Sequence, residues 1–247
     1  FSASRNNILN PKYLTLKLPA LSSSSNRMSW GGLSHEGLAL ALAEATTQYD
    51  SLLIYPAASS VELDRLRKAV RVFKPELSTY VLPDWETLPY DRFSPHREII
   101  SERILNLNKI VNASRGLILT TLRTFLQRLP PKSWITDTSF NLEIGGVYPR
   151  RELLSKLSEL GYARRRLVGE LGDLAVRGSV LDIYLIGEKT PVRLDFFDDT
   201  LESIRHFSTE NQRSLKSIES VTIFPAREFP LTEDAVVRFK KNWRLQF

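Results

Sequence analysis

Between Ser34 and Leu129 two hydrophobic rhythms alternate along the chain. SLLIYPA (Ser51–Ala57), a run within STYVLPDW (Ser78–Trp85) and GLILTT (Gly116–Thr121) have the length and apolar content of buried strands. Between them lie helical patterns. LALALAEA follows Ser34, a candidate cap. Ser59 and Glu62 have capping-box spacing, and Leu63, Leu66, Val70 and Phe73 follow on one helical face. Ile100, Ile104, Leu107 and Val111 mark a further helix closing near Gly116, and LRTFLQRL reads as a short helix. Strand and helix alternating at this spacing predict a parallel sheet with helices against it.

After PPK at Pro130–Lys132 the pattern changes. SFNLEI reads as a strand. Pro149 stands where a helix begins, with Leu153, Leu154 and Leu157 as its apolar stripe and Gly161 near its end. Three or four short strands follow, with turns at Gly169–Asp173, Gly187–Lys189 and Asp198–Thr200. This predicts an α+β block with an antiparallel sheet. SVTIFP is one more strand, and DAVVRFKKNW opens another helix. The expected organisation is a weakly ordered, Ser-rich leader over 1–29, an α/β domain over 30–129, an inserted domain over 130–217, and a segment over 218–247 that returns to the α/β domain and begins a helical part.

One strand stands out. In VRLDFF, Val192, Leu194 and Phe196 point one way, and Arg193, Asp195 and Phe197 the other. The first three supply a core face, which leaves Phe197 beside two charges. An exposed aromatic next to an arginine has the composition of a protein-binding hot spot.

Composition narrows the chemistry. The 247 residues are 42% hydrophobic and 25% charged, enough to fill a core. The net charge of +6 permits nucleic-acid contact without demanding it. With no cysteine, disulfides, thiolate chemistry and cysteine zinc sites are excluded. His35, His96 and His206 lack metal-ligand spacing. No run approaches the roughly 20 apolar residues of a membrane span. No secretory signal is read at the start, and both ends look like cut points rather than natural termini. WGGLSHEGLALALAEA, from Trp30, has Gly31, Gly32 and Gly37 but no GK[ST]; His35 and Glu36 fall where a phosphate loop needs its lysine and hydroxyl. ATP hydrolysis and a bound cofactor are therefore not expected. Asp198–Asp199 reads as a turn, and Asp84 with Glu86 lacks a partner base or nucleophile. Arg164–Arg166 and FKKNWR at Phe239–Arg244 are candidate phosphate contacts, and Tyr90 and Phe93 candidate stacking residues.

LPDWETLPYDRFSPHREIISERI, VRGSVLDIY, RLDFFDDTLESIR and FPAREFP together resemble the N-terminal region of the bacterial transcription-repair coupling factors, from about Trp30 to Phe247. That region is similar to the excision-repair protein UvrB. The resemblance implies an α/β fold: a parallel-sheet, UvrB-like lobe related to P-loop NTPases but degenerate, interrupted by an inserted UvrA-binding domain. It implies a cytoplasmic, non-catalytic adaptor that recruits UvrA to RNA polymerase stalled at a lesion. The ATP-dependent motor, the polymerase and duplex-DNA contacts, and a C-terminal domain that masks the UvrA surface are implied to lie outside this chain. By motif, the implied UvrA contacts are Arg177, Arg193 and Phe197. If strands 176–185 and 192–198 form a hairpin centred near Glu188, odd positions share a face, and Arg177 joins the other two. Two readings compete with the adaptor: a nonspecific DNA-binding domain and a cryptic NTPase.

Overall fold

The computed structural model describes residues 29–88 and 91–246. They fall into two compact units, one holding the described residues up to Asp84 with Asn112–Gln127, the other Trp85–Val111 and the chain from Arg128 onward.

In the first unit Ser34 caps α1 (His35–Gln48), its hydroxyl accepting from Gly37 N–H at 3.1 Å. Ala39, Ala41, Ala43 and Ala45 are buried, and such small side chains let α1 approach its neighbours closely. β1 (Leu52–Ala57) leads to α2 (Ser60–Phe73), whose capping pair is formed. Ser59 Oγ accepts from Glu62 N–H at 3.2 Å, and Glu62 reaches back to Ala58 N–H at 3.0 Å. Leu63, Leu66 and Val70 are the buried stripe of α2. β2 (Thr79–Leu82) and β3 (Gly116–Thr121) complete a parallel sheet of order β1-β3-β2. β3 is central and buried throughout; β1 is an edge strand with Ile54 exposed, so its apolar run is less covered than its sequence predicts. Thr121 caps the single turn α4 (Leu122–Phe125).

The second unit is built round a six-stranded sheet of order β10-β9-β8-β7-β6-β5. Its strands are β5 (Ala163–Arg164), β6 (Asp173–Arg177), β7 (Val180–Ile183), β8 (Val192–Phe197), β9 (Thr200–Phe207) and β10 (Ser214–Ile218). All neighbours are antiparallel except β5 and β6. The helix α6 (Arg150–Glu159) lays Leu153 and Leu157 on a core that includes Leu181, Ile183, Val192, Leu194, Phe196 and Ile204. The helices α3 (Arg97–Asn112), α5 (Lys132–Asp137) and α7 (Glu233–Gln246) are the remaining helices described. Of these, the composition of α5 had given no signal.

One feature differs from the sequence expectation. VRGSVLDIY is not one strand: Gly178 has φ +57°, Arg177 opposes Val180, and the chain reverses from β6 into β7. The segment after Glu219 forms β11 (Ser220–Ile223), which pairs with β4 (Phe140–Glu143) and buries Val221 and Ile223 with Leu142 in the core of the second unit. This strand and Trp85–Val111 fall within the second compact unit. The expected leader over 1–29 lies almost wholly outside the described residues.

A buried ion pair holds these outlying segments to the second unit. Arg103 on α3 is fully buried; its guanidinium meets both carboxylate oxygens of Glu228, with Nη2 3.1 Å from Oε2. Trp85 Nε1–H donates to the same carboxylate at 2.8 Å, and the guanidinium lies 4.9 Å from the Trp85 ring centroid. At the first residue of α3, Arg97 donates to Leu171 O at 2.6 Å and to Asp173 Oδ1 at 3.1 Å, and further along the helix Ser101 Oγ accepts from Gly187 N–H at 3.0 Å. Breaking a buried pair strands a charge. Glu228→Gln is therefore expected to cost about 3 kcal/mol or more in urea unfolding. Arg103→Met added to it should recover part of that loss, because the buried guanidinium that has lost the Glu228 carboxylate is then gone.

Candidate functional site

The register of β8 decides what the outer face of the six-stranded sheet presents. Val192, Leu194 and Phe196 enter the core, as their alternation predicts, and Arg193, Asp195 and Phe197 face away from it. Directly opposed residues share a face. One rung of the ladder therefore reads Ala175–Asp182–Arg193–Arg205, the next Arg177–Val180–Asp195–Ser203, and the last Phe197–Thr200. Arg177, Arg193 and Phe197 do lie on one face, by a different route from the one expected. β7 and β8 pair Asp182 with Arg193, and the extra reversal at Gly178 returns Arg177 to the same side.

The three residues are in different states. Phe197 is 68% exposed at the mouth of the β8–β9 turn. Arg193 is largely covered: Nε and Nη2 donate to the two oxygens of Asp182 at 2.7 and 2.9 Å, and the guanidinium lies 4.6 Å from the Phe207 ring centroid. The Asp182 hydrogen bonds hold the Arg193 pKa above its ordinary value. Asp182 itself is buried. Arg177 is 46% exposed, with Nη2 3.9 Å from Asp182 Oδ2. On the next rung Asp195 is met by Arg205 and accepts from Ser203 Oγ at 3.0 Å. Two carboxylates thus neutralise two arginines, and Arg177 is the more accessible cation. Arg193, named from the resemblance as an implied contact, is thus already paired within the sheet. The sequence signal of that pairing was Asp182, one acid in the apolar run VLDI, which only the cross-strand register connects to Arg193.

One end of this face carries a small second cluster, Val168, Ala175 and Phe207 with Tyr184 packed against it. Asp198 and Asp199 form the turn after Phe197. Asp198 adopts φ +52°, which Asp tolerates, and Asp199 Oδ1 accepts from Arg150 N–H at 3.0 Å.

The other candidates stand apart. Among the described residues no group of three or more His, Asp or Glu is placed to hold a metal, and no described helix is long and apolar enough to cross a membrane. In the glycine-containing segment, the Glu36 carboxyl is held below the usual carboxylate range by a backbone N–H and the Ser34 hydroxyl. Its negative charge lies in the first turn of α1, where a phosphate would have to sit. Asp84 accepts from Thr121 Oγ1 at 3.3 Å and lies 3.7 Å from Arg123. Arg164–Arg166 are exposed in and after β5. On α7, Arg238, Lys240 and Lys241 are exposed, and the Phe239 and Trp243 rings lie 5.8 Å apart. Phe93 is exposed; Tyr90 and the Arg244 side chain lie outside the described residues.

Residues 140–229 match the UvrB interaction domain family, a span that contains Arg177, Arg193, Phe197 and Glu228. Similarity extends further. The transcription-repair-coupling factor of Escherichia coli is 34% identical over 217 residues, 88% of this chain and 19% of that protein. That of Haemophilus influenzae is 37% identical over 212 residues, 85% of this chain and 18% of that protein. That of Staphylococcus aureus is 29% identical over 219 residues. The chain spans about a fifth of the length of these relatives. The chain thus carries a match to the UvrB interaction domain and, over most of its length, is similar to a segment of the transcription-repair-coupling factors.

Proposed function

We propose that this chain is a non-catalytic docking module that captures UvrA, so that a transcription-repair coupling factor recruits excision repair to RNA polymerase stalled at a lesion. On this reading it acts in the cytoplasm, and the first unit is a degenerate UvrB-like, P-loop-derived lobe that serves as scaffold. The motor, the polymerase and DNA contacts and the domain that masks the UvrA surface belong to other parts of the longer protein. The single observation that carries the proposal is Phe197: an aromatic ring 68% exposed on the sheet face of the UvrB interaction domain, one rung from Arg177. Phe197 anchors in an apolar pocket of UvrA. Arg177 meets a carboxylate beside it, where guanidinium geometry allows two parallel hydrogen bonds. Arg193 supports the site by holding Asp182.

Phe197→Ala is expected to cost about 2 kcal/mol or more of UvrA affinity, at least tenfold, with native circular dichroism. Unchanged affinity in a calorimetric titration refutes the proposal. Arg177→Glu should weaken capture most at low salt, through charge reversal, without lowering the unfolding midpoint. Arg193→Ala should lower that midpoint, with a loss of about 3 kcal/mol in unfolding free energy, because it leaves Asp182 buried without its bidentate partner. Lost affinity with an unchanged midpoint would instead give Arg193 a direct contact. The competing DNA reading, favoured by the basic and aromatic face of α7, predicts duplex binding that falls steeply as salt rises and does not respond to Phe197→Ala.

A further inference from the structure

Phe197 is not an isolated ring. It opposes Thr200 across the β8–β9 turn, and Thr200 in turn forms an antiparallel bridge with Val147, outside the named strands. Two backbone hydrogen bonds bracket that bridge: Tyr148 N–H donates to Asp199 O at 2.7 Å, and Leu201 N–H donates to Gly146 O at 2.9 Å. This is the narrow kind of antiparallel pair, in which side chains stand closest and on one side. Phe196 and Leu201 fill the core side, so Phe197, Thr200 and Val147 face outward together. Val147 is 68% exposed, as Phe197 is.

Resting on the UvrA reading, we infer that Val147 and Thr200 extend the docking surface into a ridge across three chain segments, about 10 Å long by ordinary strand spacing. A ridge of this shape fits a groove rather than a single-ring pocket. Arg177, one rung away and toward β6, sets the polarity: the groove carries a carboxylate on that side. At the other side the groove is apolar where it receives Val147. The backbone bridge, not the Val147 side chain, holds the segment in place, so its substitution leaves the fold intact.

The test measures affinity of the whole chain for purified UvrA. Val147→Asp, which puts a charge into the apolar groove, is expected to weaken binding at least tenfold with unchanged circular dichroism. Thr200→Val, which makes the centre of the ridge apolar, is expected to tighten binding severalfold. Unchanged binding by both variants, alongside loss on Phe197→Ala, overturns the ridge and leaves the UvrA reading standing. Unchanged binding by Phe197→Ala itself overturns the UvrA reading. Should Val147→Asp perturb the fold, Thr200→Val decides, and affinity at or below that of the parent chain overturns the ridge.

Discussion

The alternation of β8 is the constraint on which the second unit turns. Burying Val192, Leu194 and Phe196 fixes the register, and a one-residue slip would send Arg193 and Asp195 into the core at a cost no local contact could offset. Once fixed, that register places every neighbour on the outer face. Asp182 comes opposite Arg193, Asp195 opposite Val180, and Phe197 is left at the sheet's end with no further rung to cover it. The exposed ring is thus a by-product of core packing in geometry, and its aromatic identity is what core packing does not require. A serine there would satisfy the strand equally well.

The longest motif in the chain, from Trp85 to Arg103, has a different physical basis. Its polar residues are not explained by the helical period that begins at Ile100, because their partners are remote in sequence. Arg103 and Trp85 converge on Glu228, Arg97 reaches Leu171 and Asp173, and Ser101 receives the amide of Gly187. Gly187 has φ +93°, and a Cβ there would stand 2.9 Å from Leu105. The motif and the FPAREFP segment are two halves of one buried polar arrangement. A buried charged pair contributes little net stability against an apolar substitute, yet it tolerates few alternatives. It ties three distant stretches of chain in one geometry.

Local periodicity therefore made much of this fold legible. The capped starts of α1 and α2, the stripe Leu63–Leu66–Val70, the central strand β3 and the two faces of β8 are all written in residues close in sequence. What escaped was non-local or conformational. Gly178 ends β6 within a run that reads as one strand, because its left-handed conformation carries no hydrophobic signature. β11 joins β4 from far along the chain, and apolar pattern names a strand without naming its partner. The Arg193–Asp182 pair was not legible because Asp182 sits eleven positions away on the neighbouring strand.

Arg150, at the start of α6, has a bearing on how the docking face behaves. Its backbone N–H holds Asp199 in the turn beside Phe197, and its Nη2 donates to Gly178 O at 2.6 Å in the turn beside Arg177. One residue thus clasps the two hairpin tips that carry the exposed ring and the exposed cation. Their spacing is set before any partner arrives, so little conformational freedom remains to be lost on association. A face prepared in this way distinguishes among partners chiefly by how long each stays, rather than by how quickly each is met.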